Sequence, residues 1–182
     1  MGAELSTCPT GTRLIGALCL GATGRVGALT FAGNHLAAAK LEWHFLCAWS
    51  TVVMQKYYWA MLLSPLYRRL QDSIDFFDVF MEMHGAKDHL TELEYRLGST
   101  RFFAWLALVT GLTNAAFLGC MRYLSSAGVR GASYKANAGF WSIISVCVTL
   151  RALERPEAPY SVLGMVTVPG RWYPVSLAMG LS

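Results

Sequence analysis

The stretch FFAWLALVTGLTNAAFLGCM, residues 102–121, places 20 uncharged side chains between Arg101 and Arg122. At 1.5 Å rise per residue such a helix is about 30 Å long, the hydrocarbon thickness of a bilayer. Arg101 and Arg122 stand where long cations can snorkel to head groups. The stretch predicts a membrane-crossing helix.

Composition agrees with that reading over the whole chain. Hydrophobic residues make up 54% of the 182, charged residues 14%, and mean hydropathy is +0.39. A soluble domain carries about 25% charged residues, so too little polar surface is available to face water in the usual way. Contact with lipid or with other apolar subunits accounts for the shortfall. The net charge of +4 is the balance of fifteen cations and eleven anions, and the cations are spread along the chain rather than massed, which argues against nucleic acid and suits anionic lipid head groups.

Three further apolar runs qualify as spans. Residues 136–150 are uncharged between Lys135 and Arg151. Residues 45–67 carry Trp49, Tyr57, Tyr58, Trp59 and Tyr67 as interfacial belts, with Lys56 inside the run and Pro65 near its end. Residues 14–32 hold Gly16, Gly21, Gly24 and Gly27, small residues that let helices approach in lipid, together with Arg25. The expected fold is all-α, a polytopic transmembrane helical bundle of about four spans in a single membrane domain, residues 1–182.

Residues 70–97 differ in character. Leu70, Ile74, Phe77 and Met81 fall at helical spacing, opposite Gln71, Asp75, Asp78 and Glu82. An inserted amphipathic helix is expected there, ending near Gly85, with a second short helix over 88–97 and the acidic face free to dock on a protein neighbour. Residues 160–182 are apolar but broken by Pro169, Gly170, Arg171 and Pro174, and read as a re-entrant or surface tail. The front of the chain lacks the order of a cleaved signal and is expected to be retained. With four spans, Lys and Arg number nine on the N-terminal side and four on the other, which orients both termini toward the side of synthesis or the matrix.

Charged residues inside or at the ends of spans are the candidate contacts for lipid or partner subunits: Arg25, Lys56, Arg101, Arg122 and Lys135. Cys19, Cys47, Cys120 and Cys147 lie in apolar runs without metal-ligand spacing, and read as small buried hydrophobes. Neither His84 and His89, with Glu82 and Asp88, nor any other group forms a closed metal set. No cofactor, catalytic residue or small-molecule substrate is expected.

Short motifs along the chain resemble the derlin family, the proteolytically inactive relatives of rhomboid proteases. Pro9, Thr12 and Arg13 match the Pro-x-x-Thr-Arg that opens derlins. Asn34-His35-Leu36 leads through Lys40 to Trp43-His44, where derlins have Trp-Arg. The run from Met61-Leu62 to Tyr67-Arg68-Arg69-Leu70-Gln71 is similar to the end of their second span, and Phe102-Phe103 to the opening of their third. Arg155-Pro156, Leu163-Gly164 and Trp172-Tyr173-Pro174 follow in family order. Residues 74–97 have no derlin counterpart, and the chain stops where the fifth span would begin. Rhomboid proteases use a Ser in Gly-x-Ser-Gly and a later His as its base. Here the nearest match is Gly131-Ala132-Ser133-Tyr134, and no His follows it.

The resemblance implies a pseudoprotease scaffold. The expected function is a non-catalytic accessory subunit of a multi-subunit membrane complex in the mitochondrial inner membrane, a respiratory-chain complex or ATP synthase, packed against other subunits and phospholipids, cardiolipin among them. The alternative is a derlin-type component of protein retrotranslocation in the endoplasmic reticulum or a plastid membrane.

Overall fold

The structure, a computed structural model, describes residues 9–70, 73–162 and 166–175. The described chain is mostly helical, with two short antiparallel strand pairs. It divides into two compact units, residues 1–140 and 141–182.

In the first unit, α1 (Thr10–Phe31) and α5 (Ser99–Ser126) are long and apolar enough to cross a membrane. Only 22% of the apolar stretch of each is buried. A soluble protein's core helix of that hydropathy would be mostly buried; here the large apolar side chains point outward. Leu14, Leu18, Leu20 and Phe31 are exposed on α1, and Leu108, Leu112 and Tyr123 on α5. The inward faces are narrow. On α1 they comprise Ile15, Cys19, Thr23 and Val26; on α5, Phe102, Thr110, Asn114 and Leu118, an i, i+4 row with polar groups at its centre.

Helix α1 ends at a turn through Gly33, whose φ of 74° requires no side chain. The short α2 (His35–Trp43), capped by Asn34 Oδ1 on the Ala37 amide at 3.2 Å, then folds back on the second half of α1. Val26, Ala38 and Tyr67 form the core there.

The sequence suggested a continuous span over 45–67, and the structure corrects this. The segment breaks into β1 (Cys47–Ala48), a π-helical turn (Ser50–Met54), α3 (Ala60–Leu63) and a 3-10 turn (Ser64–Leu66). Lys56 marks the break between the π-helical turn and α3: with φ 63° it takes the left-handed conformation that terminates helices. Strand β1 pairs with β2 (Ala136–Asn137), Cys47 opposite Asn137 and Ala48 opposite Ala136.

Residues 73–97 form one continuous helix, α4, rather than two. A single glycine inside a helix costs only about 1 kcal/mol relative to Ala, so Gly85 does not end it. The expected faces of this helix are exchanged at Phe77 and Glu82. Phe77 and Phe80 are 64% and 65% exposed, while Glu82 and Glu94 are each 2% exposed. The buried row is Glu82, Ala86, Leu90 and Glu94, again at i, i+4. Gly98, at φ 76°, turns the chain from α4 into α5.

The second unit contains α6 (Trp141–Glu154), a hairpin of β3 (Pro159–Val162) and β4 (Val166–Pro169), and a closing 3-10 turn (Gly170–Trp172). The run expected to span from 136 becomes helical only at Trp141, because residues 136–137 are held in β2 and Gly139 takes φ 84°. At 14 residues and 1.5 Å per residue, α6 is about 21 Å long, short of the bilayer core. Of the tail expected over 160–182, residues 163–165 and 176–182 lie outside the described residues, as does Cys8; the described part is a β hairpin followed by a short helical turn. Cys19, Cys47 and Cys147 are buried as expected, but Cys120 is exposed, on the outward side of α5.

Candidate functional site

The polar groups of the first unit form three joints, two of which reach α1. The central piece is a short extended segment after the 3-10 turn, where Tyr67 has φ −132° and ψ 135°. Successive side chains of extended backbone point to opposite sides. Tyr67 and Arg69 therefore share one side, and both donate to Glu42 of α2. The Tyr67 hydroxyl reaches Glu42 Oε1 at 3.1 Å, and Arg69 Nε forms an ion pair with the same oxygen. Arg68 points the other way, to α4. Its Nη2 meets Asp78 Oδ2 at 2.9 Å and its Nη1 meets Glu82 Oε1 at 3.3 Å. Asp78 and Glu82 are one helical turn apart, so a single guanidinium fork reaches both. The Arg68 amide also donates to Thr23 Oγ1 of α1 at 3.3 Å. Two adjacent arginines thus hold α1, α2 and α4 together.

Glu82 is confined from behind by Gly139. A Cβ at that position would stand 2.5 Å from Glu82 Oε1, and the φ of 84° excludes side chains independently.

A second joint lies at the start of α1. Pro9 gives this helix no side-chain cap, and its first turn has no acidic residue. Glu94 supplies both from 83 residues away. Its Oε1 accepts from the Gly11 amide at 3.0 Å, and its Oε2 from the Thr12 amide at 2.7 Å and the Thr12 hydroxyl at 2.8 Å. The hydroxyl of Ser99, first residue of α5, donates to Oε1 at 2.7 Å. Gly11 is required here, since a Cβ would sit 2.7 Å from Oε1. Burial raises the pKa of this carboxyl, but the hydrogen bonds from Ser99, Thr12 and Gly11 outweigh burial and hold it below the ordinary 4.5.

The third joint is Asn114, midway along α5. Its Nδ2 donates to Met61 O at 2.6 Å and Ser64 Oγ at 2.8 Å, and its Oδ1 accepts from Asn137 Nδ2 at 2.7 Å. Replacing Asn114 by Leu should cost about 0.6–2 kcal/mol, the range for an interhelical polar side chain in a membrane helix. Thermal melting in mild detergent measures this, and an unchanged or raised midpoint would deny the amide its role.

Among the described residues every buried side-chain nitrogen and oxygen has a hydrogen-bond partner. A cavity of 270 Å³ opens beside Glu42, Tyr67 and Arg69 and is also lined by Thr23, Thr30 and His35. Its buried carboxylate is already engaged by the tyrosine and the arginine. No group of three or more His, Cys, Asp or Glu side chains suits a metal ion among the described residues.

The five cations singled out from sequence are all exposed and lie on different elements. Arg25 is on the outward side of α1, Lys56 at the break after the π-helical turn, Arg101 in the first turn of α5, and Lys135 before β2. Arg122 lies over the Trp49 ring at 5.3 Å, a cation–π contact at the far end of α5. The structure does not gather them into one site. The joints at Arg68–Arg69, Glu94 and Asn114 were not predicted as sites from the sequence. Two signals for them exist: the Asp78–Glu82 spacing, and the alternation that sends adjacent arginines to opposite sides.

The class these features define is a helical protein with polar joints inside and apolar helix faces outside. No protein-family model, curated protein or solved structure matches the chain.

Proposed function

We propose that the chain is a non-catalytic accessory subunit of a multi-subunit membrane complex, a scaffold on which lipids and neighbouring subunits pack. The observation that carries this reading is the apolar outward surface of α1 and α5, whose apolar stretches are only 22% buried. Polar side chains spent on internal joints add support, since the buried groups of Glu42, Glu82, Glu94 and Asn114 bind other parts of the chain itself. Exposed Phe77 gives α4 an apolar group for a neighbour or for lipid. The complex we propose is a respiratory-chain complex or ATP synthase of the mitochondrial inner membrane, built on a derlin-like scaffold, with phospholipids including cardiolipin at its surface. In this reading it takes no small-molecule substrate and no nucleic acid.

A second reading is a derlin-type component of retrotranslocation in the endoplasmic reticulum or a plastid membrane. It shares with the first the derlin resemblance, two elements of which fall on the joints: Thr12 at the Glu94 carboxylate and Tyr67-Arg68-Arg69 between α2 and α4. Mild solubilisation of the native membrane followed by native electrophoresis separates the two. Stoichiometric migration with a respiratory enzyme or ATP synthase is the expected result. Migration with a ubiquitin ligase or an AAA ATPase would overturn the first reading in favour of the second.

A further inference from the structure

A cavity of 360 Å³ lies between the first turns of α1 and the middle of α4, within the about 300–1,000 Å³ of small-ligand pockets. Its composition is graded. The two helices run antiparallel, since Glu94 meets Gly11 and Thr12 while Met83 comes close to Gly16. Arg13 and Lys87 therefore share the end nearer the Glu94 joint, and Gly16, Met83 and Phe80 continue away from it. Both cations are exposed, and no carboxylate lines the cavity among the described residues. The Glu94 carboxylate is engaged by the backbone of α1 instead of these cations.

We infer that this groove holds an anionic phospholipid, its phosphate between Arg13 and Lys87 and an acyl chain along Gly16, Met83 and Phe80. The inference rests on α1 crossing the membrane. Arg13 lies in the first turn of that helix, at the depth of lipid phosphates, and the apolar part of the groove then follows the hydrocarbon. The order of polarity along the groove is the order along the membrane normal. Gly16 keeps the groove open, since a Cβ there would already stand 3.3 Å from Met83 Cε. Two like charges without a carboxylate between them supply the complementarity for a phosphate.

The test uses the full chain, delipidated in mild detergent, with phosphatidylglycerol added and bound lipid counted by native mass spectrometry. One tightly held phosphatidylglycerol is expected in the wild type. Arg13→Gln with Lys87→Gln should weaken it about thirtyfold, at about fivefold per cation near a membrane surface. Gly16→Leu should expel it with both charges intact, whereas Arg101→Gln with Arg122→Gln should leave it in place. Undiminished binding in both groove variants would overturn the proposal. So would equal binding of phosphatidylcholine, or full displacement by millimolar inorganic phosphate, which would mark a plain anion site. Carbonate extraction of native membranes keeps the underlying reading separate. A chain released by carbonate refutes the crossing of α1 and the lipid site with it, while a retained chain without selective lipid refutes the site alone.

Discussion

Replacing Arg68 by Met is expected to lower the melting temperature in mild detergent by about 6–12 °C, the largest loss among single changes in the first unit. The side chain is 27% exposed, but its partner Glu82 is only 3% exposed. Removing the cation leaves that carboxylate buried beside Asp78 with its countercharge gone. Breaking a buried pair in this way costs about 3–5 kcal/mol. Partial exposure of Arg68 and Asp78 favours the lower end, about 3 kcal/mol, and each kcal/mol shifts the midpoint by about 2–4 °C at this chain length. Arg68→Lys should recover only part of the loss, because an ammonium lacks the fork that reaches both acids at once. Restoring neutrality with Asp78→Asn and Glu82→Gln beside Arg68→Met should recover more than half. A melting point for Arg68→Met within a degree or two of the wild type would show that the pairing contributes nothing net.

Glu94→Gln should cost about 2–3 kcal/mol at neutral pH. Hydrogen bonds to a charged acceptor are each worth about 1.5–3 kcal/mol, and an amide facing the Gly11 and Thr12 donors retains one acceptor atom where two served. The pH dependence follows from the sign of the shift. The folded carboxyl lies below its ordinary 4.5, so its contribution is complete above about that pH. It is lost as pH falls through the depressed folded value. The gap in melting temperature between wild type and Glu94→Gln is therefore expected to be constant above pH 5 and to narrow on further acidification. Melting curves at stepped pH values measure it. A gap that widens in acid, or none at pH 7, would remove Glu94 from its assigned place.

Helix α5 was legible because its signal is local: twenty uncharged residues between Arg101 and Arg122 specify a helix and its apolar exterior at once, whereas α1 carries Arg13 and Arg25 and gave a weaker signal. The interior was not legible, for two reasons. Amphipathic reasoning assumes that charge seeks water, and on α4 it placed Asp78 and Glu82 on the solvent side. A carboxylate is buried when a specific donor waits for it, and the donors here are Arg68, Ser99 and the first amides of α1. Those partners are 5 to 83 residues away, and no hydrophobic period records them. Lys56 illustrates the second reason. Its charge marks it as a candidate contact for lipid or a partner, whereas its left-handed backbone ends the helical turn. Conformation at one residue is invisible to a sum over twenty. Asn114 passed unnoticed because it is uncharged, although it ties α5 to the 3-10 turn and to β2.

The joint at Glu94 also has a consequence for how the chain is made. Synthesis proceeds from the N-terminus, so α1 emerges with its first amides open, and its cap does not exist until 83 further residues have been added. At about 5–20 residues per second that interval is about 4–17 s. Over that time the first helix can enter a membrane, but its end is not fastened. The α4–α5 turn, bringing Glu94 and Ser99 together, is the event that closes it.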